Sequence, residues 1–197
     1  RIAAFQRLRQ WREALELLAR MQLWGPMPDT VACNAAISAC GRARQWRRAL
    51  GLLRGMQQDG PAADAVSYNA MISGLSGGQH WQLALALFLA MQGAGARPDA
   101  VSFCATIGAC AGVPGWPHAL TLLGEMRLQR VEVNVIAYSA TVSALAGSAE
   151  WQLALTLIED MRRCGLMPNE VTYGGAISVL ARNQQWRQAL ARFKEMH

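Results

Sequence analysis

Apolar residues along the chain recur at helical spacing in short runs separated by breakers. From Val31 to Cys40 the apolar and small positions follow a helical period. After a basic stretch, Trp46, Ala49-Leu50, Leu53 and Met56 fall at i, i+3, i+4, i+7 and i+10, the single stripe of an amphipathic helix. The pattern predicts a pair of helices joined by a turn that begins at Gly41. Gly60 is placed to cap the end of the second helix. In other parts of the chain Pro28-Asp29, Pro98-Asp99 and Pro168-Asn169 mark the joint: proline halts the preceding segment, and Asp or Asn starts the next helix. Each predicted helix is only about 10 to 14 residues, marginal alone, so it must be held by neighbours.

The pair is repeated. Trp11, Trp46, Trp81, Trp116, Trp151 and Trp186 stand 35 residues apart without insertion or deletion. Met21, Met56, Met91, Met126, Met161 and Met196 run in step, as do Ala-Leu pairs from Ala14-Leu15 to Ala189-Leu190. Three ladders in phase mean one supersecondary unit copied end to end, which predicts a solenoid. Each indole is expected to open a second helix and fill the gap between successive copies, on the core-facing stripe it shares with Leu and Met.

Composition adds little to this picture, but charge changes it. Hydrophobic residues make up 52% of the 197, ample for a core. Of 19 basic residues only Lys194 is lysine. The net charge of +6 divides as +5 over residues 1–64, −1 over 65–169 and +2 over 170–197. A basic chain predicts a polyanionic partner, and here the basic character lies at the ends. The longest apolar stretch, Leu83 to Met91, is too short to span a bilayer, so membrane insertion is not expected. Cys33, Cys40, Cys104, Cys110 and Cys164 are odd in number and form no CxxC, which argues against a metal site or a disulfide framework. Cys40 and Cys110 share one repeat position and read as small buried side chains. The chain starts in mid-pattern at Arg1, as a piece of a longer protein would.

A 35-residue helix–turn–helix unit with V-x-x-N-x-x-I-S near its start (Val31, Asn34, Ile37-Ser38), A-L in its second helix and M-x-x-x-G-x-x-P-D at its end (Met91, Gly95, Pro98-Asp99) resembles the pentatricopeptide repeat. The resemblance covers the whole chain: a partial copy at 1–29, complete copies at 30–64, 65–99, 100–134 and 135–169, and a partial copy at 170–197. It implies an all-α, right-handed α-solenoid. It also implies binding of single-stranded RNA, one base per repeat, in chloroplasts or mitochondria, in RNA processing, stability or translation.

Carried over slot by slot, the resemblance names a site. The second residue of each copy would wedge between bases: Val31, Val66, Val101, Ile136 and Val171. The fifth residue and the last would read the base. These pairs are Asn34 with Asp64 and Asn69 with Asp99, both suited to uracil, then Cys104 with Asn134, a poor hydrogen bonder, and Ser139 with Asn169, suited to adenine. The implied register is roughly 5′-UUNA-3′. Asp64 and Asp99 also suit helix capping, which needs no RNA. A basic residue late in the first helix would meet phosphate: Arg7, Arg42 and Arg182 occupy that slot, whereas Gly77, Gly112 and Gly147 do not. Phosphate neutralisation supplies much of nucleic-acid affinity, so weak binding is expected of this chain alone.

His80, His118 and His197 are scattered without acidic or cysteine partners at ligand spacing, and His80 and His118 are expected to be solvated. There is no Walker loop, nucleophile elbow, dinucleotide fingerprint or deaminase signature, so no cofactor and no chemistry of its own is expected. The second reading is a protein scaffold within a larger organellar assembly, favoured by the neutral middle.

Overall fold

A computed structural model of the chain describes residues 11–58, 60–76, 80–111, 114–185 and 187. Among them lie ten α-helices, one 3-10 turn (Leu145–Gly147) and no strand. The second helices are α1 (Trp11–Trp24), α3 (Trp46–Gln58), α5 (Trp81–Gly93), α7 (Trp116–Leu128) and α9 (Trp151–Arg163). The first helices alternate with them: α2 (Thr30–Arg42), α4 (Ala65–Gly74), α6 (Ala100–Ala109), α8 (Val135–Ala144) and α10 (Glu170–Arg182). Two compact units divide the chain. The first runs to Leu75 and takes in Leu85–Pro98; the second takes in Ser76–Ala84 and resumes at Asp99. In the first unit α2 packs on α1, α3 and α4; in the second α8 packs on α6, α7, α9 and α10.

Every described ladder tryptophan opens a second helix. Trp186, Ala189-Leu190 and Met196 lie outside the described residues. The core is built by the other ladders: Ala14, Ala49, Ala84, Ala119 and Ala154 are fully buried, and Met56, Met91, Met126 and Met161 are buried with them. The indoles are only half-buried, so they are not the core stripe that their register suggested. Two of them are covered from the following repeat: the Arg48 guanidinium sits 4.5 Å from the Trp11 ring centre, and His118 stacks on Trp81 at 4.8 Å. His118 is exposed, as expected, and also stacks on Trp81.

The joints form as expected for short polar residues at helix starts. Asp29, Asp64, Asp99, Asn134 and Asn169 each cap a first helix, accepting a backbone N–H three residues on at 2.7 to 3.0 Å. Ser67, Ser102 and Thr172 return a hydroxyl to the capping residue's own amide and close capping boxes.

Two glycine expectations need correction. Gly41 does not begin the turn: α2 continues to Arg42, and the turn is made by Ala43–Gln45 with Arg44 left-handed at φ 57°. Gly41 is buried because α2 and α4 meet backbone to backbone there. A Cβ on Gly41 would lie 2.9 Å from the Gly74 Cα. Nor does Gly60 provide a left-handed cap; its contact is with Met56, whose Cα a Cβ would meet at 2.8 Å. The left-handed caps are one and more repeats on, at Gly95 (φ 77°), Arg130 (φ 57°) and Gly165 (φ 76°). The next residue's N–H reaches back to Met91, Met126 and Met161 respectively. Arg130 is the strained member of this set. Arg130→Gly is expected to stabilise the chain by roughly 0.5 to 1 kcal/mol in urea titrations.

A hydrogen-bonded rung between repeats completes the packing. Gln57 donates to the Tyr68 hydroxyl and Arg162 to the Tyr173 hydroxyl, both at 2.8 Å. Arg127 donates to the Tyr138 hydroxyl at the equivalent place and forms an ion pair with Asp160, to which Tyr138 donates at 3.0 Å. Hydrogen bonding from Arg127 holds the Asp160 carboxyl below its ordinary range. That contribution is present above the unfolded carboxyl pKa and is lost as pH falls through the depressed folded one. Phe103 occupies the tyrosine slot in α6 and is fully buried, so the ring alone fits. Tyr138→Phe should then cost about 1 kcal/mol, the hydroxyl's hydrogen bonds only.

Candidate functional site

The slots singled out in the sequence gather at the N-terminal end of each first helix. Val31, Val66, Val101, Ile136 and Val171 are each the second residue of theirs, and all five are 58 to 70% exposed. They are not first-turn core residues. A β-branched side chain exposed at the same point of five helices is a surface that packing within the chain does not explain. The fifth residue of each copy lies one turn on, on the same side of the helix. Asn34 and Cys104 are half-buried there, while Asn69 and Ser139 are buried.

The capping residue of the following helix meets that fifth residue. Asn34 Nδ2 donates to Asp64 Oδ1 at 3.1 Å, the Cys104 thiol to Asn134 Oδ1 at 3.6 Å, and the Ser139 hydroxyl to Asn169 Oδ1 at 3.3 Å. Capping and pairing thus use one oxygen. Asp64 Oδ1 accepts from Ser67 N–H at 2.8 Å and Ser67 Oγ at 2.9 Å as well as from Asn34. Burial alone would raise the Asp64 carboxyl, but hydrogen bonds from Ser67 and Asn34 outweigh it and hold it below the ordinary range. Asn69 lies in the first unit; Asp99, which caps α6, lies in the second.

The pairs differ in what they leave open. The Asn34 amide nitrogen is held by Asp64, and its Oδ1 is buried and accepts no hydrogen bond from the described residues. Ser139 is satisfied twice, by Asn169 and by the Thr172 hydroxyl at 2.6 Å. No local pattern signals this second bond, since Thr172 is 33 residues away. Cys104 offers a thiol whose pKa is raised, first by burial. Beside the last pair, Asn169, Val171 and Tyr173 line a hollow of about 460 Å³.

Of the arginines assigned to phosphate, Arg42 and Arg182 are exposed in the last turns of α2 and α10. Arg7 lies outside the described residues, as do Gly77 and Gly112; Gly147 ends the 3-10 turn. Cys40 and Cys110 are fully buried, and burial pushes both thiols up to about 11. Cys164 is exposed at the C-terminal end of α9. Among the described residues no group of three His, Cys, Asp or Glu could hold a metal ion, and no helix is long and apolar enough to cross a membrane.

Family profiles cover nearly the whole chain. The PPR repeat family matches residues 28–77 and 63–112, the pentatricopeptide repeat domain 121–183, and the PPR repeat 2–26 and 171–197. The chain belongs to the pentatricopeptide repeat family. No curated protein sequence matches it. Among solved structures it is similar to the pentatricopeptide repeat protein PPR10 from maize, at 26% identity and TM-score 0.72 over 99% of this chain and 28% of that one. A structure of PPR10 in complex with an 18-nt psaJ RNA element matches at 22% identity and TM-score 0.75, over 99% of this chain and 32% of that one. The PPR domain of Arabidopsis thaliana protein-only RNase P 1 in complex with tRNA matches at 12% identity and TM-score 0.67, over 81% and 84%. The fold of this pentatricopeptide repeat chain is accordingly the all-α helical-repeat solenoid that the ladders predict. It spans less than a third of the length of PPR10.

Proposed function

We propose that this pentatricopeptide chain binds single-stranded RNA, one base at each complete repeat, and acts on an organellar transcript without chemistry of its own. The observation that carries the reading is the Asn34–Asp64 pair. The Asn34 amide is half-buried one turn from the exposed Val31, and Asp64 holds it in one orientation. An amide can accept from the imino N–H of uracil and donate to its carbonyls. Val31, one turn back and 70% exposed, offers an apolar surface to an adjoining base. Solved relatives bound to RNA, PPR10 with its psaJ element and the RNase P domain with tRNA, agree with this assignment of ligand class. The register 5′-UUNA-3′ and the roles of Asn69, Asp99, Cys104, Asn134, Ser139 and Asn169 belong to the same proposal.

Fluorescence anisotropy at low salt tests it. A short single strand carrying UU at the leading positions should bind about tenfold tighter than the same strand with CC, and a duplex should not compete. Absence of binding below about 100 μM, the weak end of non-specific association, would sink the reading.

The second reading, a protein scaffold in an organellar assembly, is favoured by the net charge of −1 over residues 65–169 and by the exposed Leu23 and Trp24 at the end of α1 and Met27 after it. Partners that co-purify after ribonuclease treatment would select it.

A further inference from the structure

A basic cluster lies away from the base-reading slots, at the opposite end of the first helices. Arg44 sits in the turn after α2, and Arg47 and Arg48 occupy the first turn of α3. Arg12 occupies the first turn of α1 beside them, since Arg48 reaches back to the Trp11 ring. All four are exposed.

Three features mark this cluster as more than a solvated edge. Its placement is locally unfavourable. The positive end of a helix dipole favours carboxylates, yet the first turn of α3 holds two arginines and no acidic residue, and Arg44 is in the left-handed region besides. Among the described residues none of the four forms an ion pair with a carboxylate. Three of the guanidiniums also lie over indoles. Arg12 and Arg48 both lie over Trp11, at 5.2 and 4.5 Å, and Arg47 over Trp46 at 5.0 Å. Stacking fixes the plane of a guanidinium and leaves its N–H edge for an anion. Finally, the fold does not ask for these residues. The slots of Arg47 and Arg48 hold Gln82 and Leu83 in one later repeat and Gln152 and Leu153 in another, and those repeats form the same helix pair.

We propose that Arg12, Arg44, Arg47 and Arg48, set on Trp11 and Trp46, form a second nucleic-acid contact that holds the phosphates of RNA flanking the base-read segment. This rests on the RNA-binding reading above. The site is backbone-directed and blind to sequence, because arginine edges presented to solvent read charge and not bases. It supplies part of the phosphate neutralisation that the base-reading slots of the central repeats lack, and it requires an RNA longer than those repeats cover.

The test compares a strand of about five nucleotides with one of about twenty, extended on either side of the same UU-containing core, across a KCl series. The variant R44Q/R47Q/R48L installs residues that the chain already uses at these slots (Gln184, Gln82 and Leu83), so its helices are expected to form as before, checked by circular dichroism. In the native chain the longer strand should bind more tightly and with a steeper salt dependence. The variant should lose about tenfold in affinity for the longer strand at 0.1 M salt, and its slope should flatten by about 2, as loss of three phosphate contacts on a single strand predicts. Binding of the short strand should be unchanged. Equal losses on both strands, or no loss on either, would overturn the proposal. So would competition by polyglutamate of matched charge as strong as that by RNA, which would assign the surface to an acidic protein. Failure of the base-reading proposal looks different: UU and CC strands would bind alike at both lengths while the long-strand increment persisted.

Discussion

Gly41→Val is expected to destabilise the first unit by about 3 kcal/mol, the largest effect of any single substitution considered for the fold. The reason is backbone contact. A Cβ on Gly41 would stand 2.9 Å from the Gly74 Cα, and a Cβ on Gly74 would stand 2.7 Å from the Gly41 Cα. Neither neighbour is a flexible side chain that could turn away, so α2 and α4 must separate. Separation would open the packing around Ile37, Cys40, Met71 and Ile72, all at 0 to 1% exposure. Gly41→Ala should cost less, about 1 to 2 kcal/mol, and Gly74→Ala about the same. Gly124→Ala in α7 is the control: nothing lies within 4 Å of its Cβ, and helix propensity should make it stabilising by roughly 0.5 to 1 kcal/mol. Urea titration measures all four, and hydrogen exchange should localise the Gly41 effect to α2 and α4. A Gly41→Ala chain within about 0.5 kcal/mol of wild type would show that the helices slide apart freely and that the glycine contact has no energetic role.

The same glycine shows where sequence reasoning reaches its limit. Gly41 follows an apolar run and precedes four arginines, which is the local signature of a turn. What overrides the signature is a partner 33 residues away, Gly74, and no local pattern carries that information. The ladders were legible for the opposite reason: they repeat. Trp46 and Ala49 mean little singly, but their recurrence in register fixed the helix boundaries, and each second helix does open on its tryptophan. The joint residues were legible because Asp and Asn act locally, on an amide three residues on. Their second role, holding the fifth residue of the preceding copy, joins residues 30 apart and entered only through the family resemblance. The tyrosine rung was missed although Tyr68, Tyr138 and Tyr173 are themselves in register. Their partners alternate between Gln57 and the arginines 127 and 162, and Phe103 breaks the series. A ladder of mixed chemistry is hard to see until its members touch. The indoles show the converse error, since an apolar side chain in the right register was assigned to the core when its face is covered by Arg48 or His118 from the next repeat.

Asn34→Ala should separate function from stability more sharply than any other substitution in the site. In the free chain two terms oppose. Losing the amide removes the hydrogen bond to Asp64, a loss of about 0.5 to 1.5 kcal/mol. It also removes a buried Oδ1 that accepts nothing, a gain of about 1 to 3 kcal/mol. The cap itself survives, because Ser67 N–H and Oγ still donate to Asp64 Oδ1. The variant is therefore expected between about 0.5 kcal/mol less stable and about 2.5 kcal/mol more stable than wild type. Affinity for a UU-containing strand should nevertheless fall by about 1 to 3 kcal/mol, roughly five- to 150-fold, because the amide that pairs with the base is gone. Asp64→Ala should differ in kind: it removes a helix cap as well as the support for Asn34, so it should lose about 1 kcal/mol of stability along with the binding. The double variant should bind no worse than the worse single one, since Asp64 acts on RNA through Asn34. Were Asn34→Ala instead to unfold the chain at lower urea and leave UU and CC strands equally bound, Asn34 would be a packing residue.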